Sequence, residues 1–212
     1  MNYELIKVCG MRETDNIREV EALGIDMMGF IFWPHSSRRV TERPYYLPTQ
    51  ARRVGVFVDE APATVLQLAS SYRLDLIQLH GHESSTYIQN LRRQAGSALN
   101  HSIKIIKAIS IGSSSDVEQY KPYEDCADYL LFDTRCTTVG GSGKQFDWSV
   151  LAEYHGDTPF LLSGGIGPDD AERVKTFCHP RCIGIDLNSR FETAPGLKDI
   201  AKLKTFIETL QR

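Results

Sequence analysis

The stretch that decides the fold is "LIKVCGM", residues 5–11, a short apolar run that carries a lysine in its middle and ends in Cys-Gly. Its length and composition are typical of a buried β-strand. Side chains alternate between the two faces of a strand, so Lys7 and Cys9 would share one face. Similar runs recur along the chain, and amphipathic stretches separate them.

Eight such runs are found between the two ends of the chain. They are almost continuously apolar, which is expected for parallel strands that are covered on both faces. We predict strands at residues 5–9, 27–32, 54–59, 74–81, 103–110, 128–134, 159–165 and 182–189.

A helix candidate follows each predicted strand, and alternating β and α elements predict a parallel sheet. Eight units suggest an α/β protein with a closed (β/α)8 barrel, the TIM barrel, which would be compact at 212 residues against a typical ~250. The length suits a single domain over residues 1–212. An open doubly wound sheet is the alternative, although "CGMRET" after the first strand lacks the G-x-G-x-x-G pattern. The helix candidates are residues 14–24, 43–52, 61–72, 83–94, 113–123, 147–154, 168–178 and 197–212.

The composition of the chain limits which binding partners and which cellular location are expected for the protein. The net charge of -3 gives no reason to expect nucleic acid or an anionic membrane as a partner. No apolar run approaches the ~20 residues that span a bilayer, and "MNYELIKV" does not resemble a signal peptide. Five irregularly spaced cysteines disfavour a disulfide framework, so a cytoplasmic location is expected. "CHPRC" at 178–182 lacks a second ligand pair at a usual zinc spacing, so we expect no metal.

The polar residues at the ends of the predicted strands are the candidates for chemistry. In a (β/α)8 barrel the active site lies where strands end and βα loops begin. Cys9 and Asp133 end strands one and six, so they would face each other across the mouth, where one could remove a proton and the other donate one. The alternatives are a buried filler for Cys9 and a helix cap or an ion pair for Asp133.

Two more polar residues belong to this group. His80 ends strand four and could be a base, a substrate hydrogen bonder or a structurally satisfied histidine. Arg38, in the loop after strand two, could hold a carboxylate with its two-pronged donor geometry, or could be a solvated loop arginine.

The turns after strands seven and eight predict a phosphate site. Gly164 and Gly165 would let backbone N–H groups approach an anion closely, and Asn188 and Ser189 can add donors. The loops at these two positions form a phosphate site in many such barrels. The alternative is a plain turn that requires glycine.

Two further hypotheses concern the surroundings of the site. A buried Lys7 needs a partner, and strand eight, next to strand one in a closed barrel, carries Asp186. We therefore expect a Lys7–Asp186 ion pair beneath the active site. The glycine-rich stretch at 137–148 is typical of a mobile lid, with Phe146 or Trp148 anchoring the helix that follows.

Taken together, the motifs resemble those of the phosphoribosylanthranilate isomerase family of tryptophan biosynthesis. "KVCGM", "GFIFWPHSSRRV", "VGVFVD", "LIQLHG", "LLFDT", "GGSGKQFDW", "LSGGI" and "GIDLNSRFE" occur in this order over nearly the whole chain. The resemblance implies a (β/α)8 barrel that uses no cofactor or metal. It also implies an aldose–ketose isomerase whose small-molecule substrate joins a phosphosugar to anthranilate. The sequence leaves a monomer and a homodimer open.

The resemblance also implies residue roles. Asp133 matches the general acid that opens the ribose ring, and Cys9 matches the general base that takes the proton from ribose C2. Arg38 matches the residue that holds the anthranilate carboxylate. The turns at Gly164, Gly165, Asn188 and Ser189 match the phosphate site, and we also expect His80 and Asp186 to line the substrate site.

One departure affects the phosphate site. The family usually shows Ser-Ser-Gly after strand eight, whereas this chain has Asn188, Ser189 and Arg190. Arg190 either supplies charge to the phosphate or points outward. Two other readings are a different phosphosugar enzyme on the same barrel and a phosphate-ligand sensor without catalysis.

Overall fold

Eight parallel strands close into a barrel in chain order, and β8 is hydrogen-bonded back to β1. The computed structural model describes residues 5–99, 101–134 and 145–211. The strands are β1 (Leu5–Val8), β2 (Met27–Ile31), β3 (Arg52–Phe57), β4 (Leu76–Leu79), β5 (Lys104–Ile111), β6 (Tyr129–Thr134), β7 (Phe160–Leu162) and β8 (Cys182–Leu187). All eight predicted strands are therefore present, and the predicted (β/α)8 barrel is confirmed.

Two apolar layers hold the barrel together. One fills the interior, where alternate strand residues interdigitate, and the other lies between the strands and the surrounding helices. The pairing of β1 places Lys7 beside Asp186 of β8 and beside Met27 of β2. Since Met27 belongs to the interior layer, Lys7 also points into the barrel. The interior layer is made of Met27, Val54, Leu76, Ile106, Ala108, Leu131 and Leu161.

Five α-helices pack around the strands within the described ranges. They are α1 (Thr14–Glu21), α2 (Pro62–Tyr72), α3 (Ser85–Ala98), α4 (Ala171–Thr176) and α5 (Ile200–Gln211). Pro62 occupies the first turn of α2, where its missing N–H costs nothing. The side chain of Ser84 accepts the Tyr87 N–H and so caps α3.

The helix predicted over 43–52 is wrong, because residues 43–51 are irregular and Arg52 begins β3. Pro44 and Pro48 remove two backbone donors, so a helix here would lack hydrogen bonds. The N–H groups of Thr49, Gln50 and Ala51 instead donate to the carboxylate of Glu21 at the end of α1. The segment therefore satisfies its backbone through a neighbouring side chain.

Other connections differ from the prediction in helix type. Residues Ser114–Tyr123, Trp148–Glu153 and Pro168–Asp170 form 3-10 turns rather than α-helix. After β8 the chain forms a short 3-10 turn, Ser189–Phe191, and then a hairpin of β9 (Glu192–Ala194) and β10 (Leu197–Lys198) that the sequence did not predict. No described helix has the length and apolar character needed to cross a membrane.

Candidate active site

Three of the predicted polar residues meet at the carboxyl end of the barrel strands. Cys9 directly follows β1, and its backbone N–H donates to the Leu187 carbonyl at 2.9 Å, which extends the pairing with β8. His80 directly follows β4, and Asp133 is the next-to-last residue of β6. The thiol is 3% exposed, whereas His80 and Asp133 remain partly open to solvent.

The floor beneath this mouth is a buried ion pair. Lys7 Nζ lies 2.7 Å from Asp186 Oδ1, and both side chains are almost fully buried. The Ser163 hydroxyl donates to Asp186 Oδ2 at 3.2 Å. Burial alone would lower the pKa of Lys7, but its electrostatic interactions and hydrogen bonds with Asp186 and Cys9 raise it above its ordinary value. The predicted Lys7–Asp186 pair is therefore confirmed, and it places Asp186 below the thiol.

The thiol of Cys9 lies in a slot that a neighbouring glycine provides. A Cβ atom on Gly29 of β2 would lie 2.6 Å from Cys9 Sγ, well inside van der Waals contact. Burial raises the pKa of Cys9 above its ordinary value, against the opposing positive charges of Lys7 and Lys198. The thiolate form therefore depends on these two lysines.

His80 links Asp133 to a buried amide. His80 Nε2 lies 3.3 Å from Asp133 Oδ2, and His80 Nδ1 lies 3.4 Å from the amide nitrogen of Gln78. Gln78 is 1% exposed on β4. The sequence indicated roles for His80 and Asp133, whereas Gln78 entered only as part of the motif "LIQLHG", and its contact with His80 follows from its inward position in β4.

Arg38 is held in place by Glu192 of β9. Its Nε and Nη2 atoms contact the carboxylate at 2.9 and 2.7 Å. Lys198 of β10 contacts the same carboxylate at 2.6 Å and the Asn188 side-chain oxygen at 2.8 Å. The hairpin that follows the carboxyl end of β8 thus fixes both Arg38 and Asn188. Sequence reasoning missed Glu192 and Lys198 because nothing predicted the hairpin that brings them to Arg38 and Asn188.

The predicted phosphate turns adopt conformations that favour glycine. Gly164 and Gly165 have φ values of +90° and +72°, a region that L side chains rarely occupy. A Cβ on Gly164 would also lie 2.9 Å from the Thr134 backbone nitrogen. Ser189 opens the 3-10 turn after β8. The guanidinium of Arg190 approaches the loop after β7, since its Nε lies 3.0 Å from the Cβ position of Gly167.

The predicted lid falls mainly on residues 137–144, which lie outside the described residues. The two anchors proposed for its far end are both buried: Phe146 is 8% exposed and Trp148 is 3% exposed. Trp148 begins the 3-10 turn that follows, as expected for an anchor of that segment.

A closed barrel with a thiol, a carboxylate and glycine turns at the carboxyl ends of its strands defines the class of (β/α)8-barrel enzymes. The family model of N-(5'phosphoribosyl)anthranilate (PRA) isomerase matches residues 6–209. The chain belongs to this family.

Individual relatives agree with the family match. An N-(5'-phosphoribosyl)anthranilate isomerase of Parabacteroides distasonis is 50% identical, and the match covers 97% of this chain and 93% of the relative. The crystal structure of phosphoribosyl anthranilate isomerase from Thermotoga maritima has 31% identity and a TM-score of 0.80, covering 98% of each chain. Another such isomerase, solved in complex with reduced 1-(o-carboxyphenylamino)-1-deoxyribulose 5-phosphate, has 28% identity and a TM-score of 0.78 over 98% of each chain.

Proposed function

We propose that this chain is a phosphoribosylanthranilate isomerase that converts N-(5-phosphoribosyl)anthranilate to 1-(2-carboxyphenylamino)-1-deoxyribulose 5-phosphate, a step of L-tryptophan biosynthesis. The observation that carries the proposal is the pair formed by Cys9 and Asp133. Cys9 directly follows β1 and Asp133 is the next-to-last residue of β6, and these strands lie on opposite sides of the closed barrel. A proton acceptor and a proton donor are thus available on two sides of one substrate.

The reaction is an Amadori rearrangement with two proton transfers at the sugar. Asp133, as general acid, donates its proton to the ribose ring oxygen, so the ring opens to a Schiff base. Cys9, as thiolate, then takes the proton from ribose C2. The electron pair of the broken C2–H bond moves toward C1 and forms the enolamine. Tautomerisation of the enolamine gives the ketone. Both transfers use side chains only.

Two nearby lysines, Lys7 of the floor and Lys198 of the hairpin, support the thiolate. Because the pKa of Cys9 is raised by burial, a neutral thiol is the resting form at pH 7. Lys7 and Lys198 lower the free energy of the thiolate relative to the thiol. The base is therefore active in the fraction of molecules in which these two charges hold it ionised.

Substrate binding divides between the two ends of the substrate. Glu192 holds Nε and Nη2 of Arg38, and we assign the anthranilate carboxylate to Nη1, for which the described residues provide no hydrogen bond. The phosphate is assigned to the turns at Gly164, Gly165, Asn188 and Ser189. His80 contacts the acid Asp133, and Asp186 acts from the floor through Lys7. We further propose a cytoplasmic enzyme that is a monomer or a homodimer and binds neither nucleic acid nor membrane.

A fluorescence assay for the loss of phosphoribosylanthranilate tests the function with wild type, Cys9→Ala and Asp133→Asn. We expect turnover by wild type and loss of at least ~10²-fold in each variant, the usual contribution of a positioned acid or base. An inactive wild type would favour another phosphosugar enzyme or a phosphate-ligand sensor. Turnover that survives in both variants would contradict the assigned roles.

A further inference from the structure

Gln78 is a buried polar residue that the proposed proton transfers do not use. It lies on β4 at the level of Val56 and Ile106 of the neighbouring strands, and it is 1% exposed. Its Nε2 atom is 3.4 Å from His80 Nδ1. Its Oε1 atom has no hydrogen-bond partner among the residues that the structure describes. A buried amide oxygen without a partner costs stability, so its position calls for a functional explanation.

The position of the amide decides which imidazole nitrogen of His80 carries the proton. A neutral imidazole has one N–H donor and one acceptor nitrogen. With the amide nitrogen toward Nδ1, Nδ1 accepts, so Nε2 carries the proton and donates a hydrogen bond to an oxygen of Asp133, an arrangement that suits the carboxylate. With the amide reversed, Nδ1 donates to the amide oxygen, and Nε2 accepts a hydrogen bond from a protonated Asp133.

The unpartnered end of the amide makes both arrangements available. A hydrogen bond at Oε1 would fix the amide in one orientation and therefore fix one proton state of His80. Within the described part of the chain no group forms a hydrogen bond with Gln78 Oε1. Reversal of the amide therefore only places Nε2, instead of Oε1, at the position without a partner. The contact with His80 alone then sets the orientation.

We propose that Gln78 is a positioning residue whose amide adapts to both proton states of the His80–Asp133 pair, so that Asp133 can hold the proton it donates. Gln78 acts through His80: its amide orients the imidazole, and the imidazole contacts the carboxyl group of Asp133. This inference rests on the acid role proposed for Asp133.

The test compares Gln78→Met, which keeps the length of the side chain but has no amide, with Thr158→Val. Thr158 is also buried, and its hydroxyl hydrogen bond to the Glu124 carbonyl lies before β7, away from the mouth. For Gln78→Met we expect kcat to fall at least about tenfold, part of the ~10²–10⁴-fold that a positioned acid supplies, with KM within about twofold. Thr158→Val should keep the wild-type kcat and KM.

The second readout is the nitrogen-15 NMR spectrum of His80, assigned by its loss in His80→Asn. We expect the wild type to report both tautomers and Gln78→Met to report only the form protonated at Nε2. Gln78→Glu, which can accept but not donate, serves if the methionine variant does not fold, and it should show the same fall in kcat with His80 protonated on both nitrogens.

Three results would overturn the inference: a wild-type kcat in the Gln78 variant, a rise in KM that accounts for the whole loss, or an unchanged His80 spectrum. Asp133→Asn separates this outcome from failure of the proposed function. If Asp133→Asn is inactive while the Gln78 variant behaves as wild type, only the inference fails. If Asp133→Asn retains full activity, the acid role itself fails.

Discussion

Gly29 should be required for catalysis because it makes room for the thiol of Cys9. A Cβ at this position would lie 2.6 Å from Cys9 Sγ and 3.1 Å from Cys9 Cα. Comfortable contact needs ~3.5–4.0 Å, so the thiol must move by roughly 1 Å. Gly29 is not among the residues with positive φ, so Gly29→Ala adds a methyl group without backbone strain.

The size of the effect follows from this displacement. A 1 Å misplacement of a reacting group can cost ~10²-fold in rate, which corresponds to about 2.7 kcal/mol in the activation barrier. Overpacking should also cost about 1–3 kcal/mol of unfolding free energy. We therefore expect Gly29→Ala to fold, to lose about two orders of magnitude in kcat and to keep KM close to wild type.

The matched control is Gly55→Ala on the adjacent strand. Its Cβ would lie 2.3 Å from Leu74 Cδ1 and 2.8 Å from Phe57 Cε2, so it is overpacked in the same way but far from the thiol. Kinetics from the fluorescence assay and unfolding in urea should show both variants destabilised and only Gly29→Ala impaired in kcat. A wild-type kcat in Gly29→Ala, or an equal loss in Gly55→Ala, would refute the reasoning.

Three more changes test the floor and the two ends of the substrate site. Lys7→Met should lower the free energy of unfolding in urea by about 3–5 kcal/mol, because it leaves Asp186 charged and unpaired. The double variant Lys7→Met/Asp186→Leu should regain most of this loss. A loss below about 1 kcal/mol in Lys7→Met would contradict a buried ion pair. Because the pKa of Lys7 is raised, its stabilisation should be complete below the unfolded-state value of about 10.4 and disappear only as pH rises through the folded value. Glu192→Ala should raise KM several-fold with little change in kcat, since it frees Arg38 from its fixed orientation; an unchanged KM argues against a preformed carboxylate clamp. Arg190→Gly should raise KM if the guanidinium contacts the phosphate, and an unchanged or lower KM rules that contact out.

The sequence predicted the barrel because its strands are marked by strong, regular signals. Each strand is a short, nearly continuous apolar run. The buried Lys7 in "LIKVCGM" required a partner, and closure of the barrel places Asp186 of β8 beside it. The helix predicted at 43–52 was wrong because the segment follows a strand at the distance expected of a helix. Pro44 and Pro48 prevent a regular helix there, and backbone N–H groups of the segment donate to the carboxylate of Glu21 instead.

The finer structure of the site could not be predicted because it depends on register and on side-chain positions. That Glu192 of the β9–β10 hairpin would bind Arg38 follows from how the chain folds back after β8. The slot beside Cys9 follows from the absence of a single methyl group at Gly29. Neither feature leaves a periodic pattern in the sequence.

The central claim is that Cys9 removes the proton from ribose C2, and single-turnover kinetics with substrate deuterated at that carbon test it most directly. Enzyme in excess over substrate isolates the chemical step from product release. Wild type is expected to convert the deuterated substrate more slowly than the ordinary one, and Cys9→Ala should convert neither at a comparable rate. Equal rates for the two substrates with wild type, or a wild-type rate with Cys9→Ala, would contradict the assignment of Cys9 as the base.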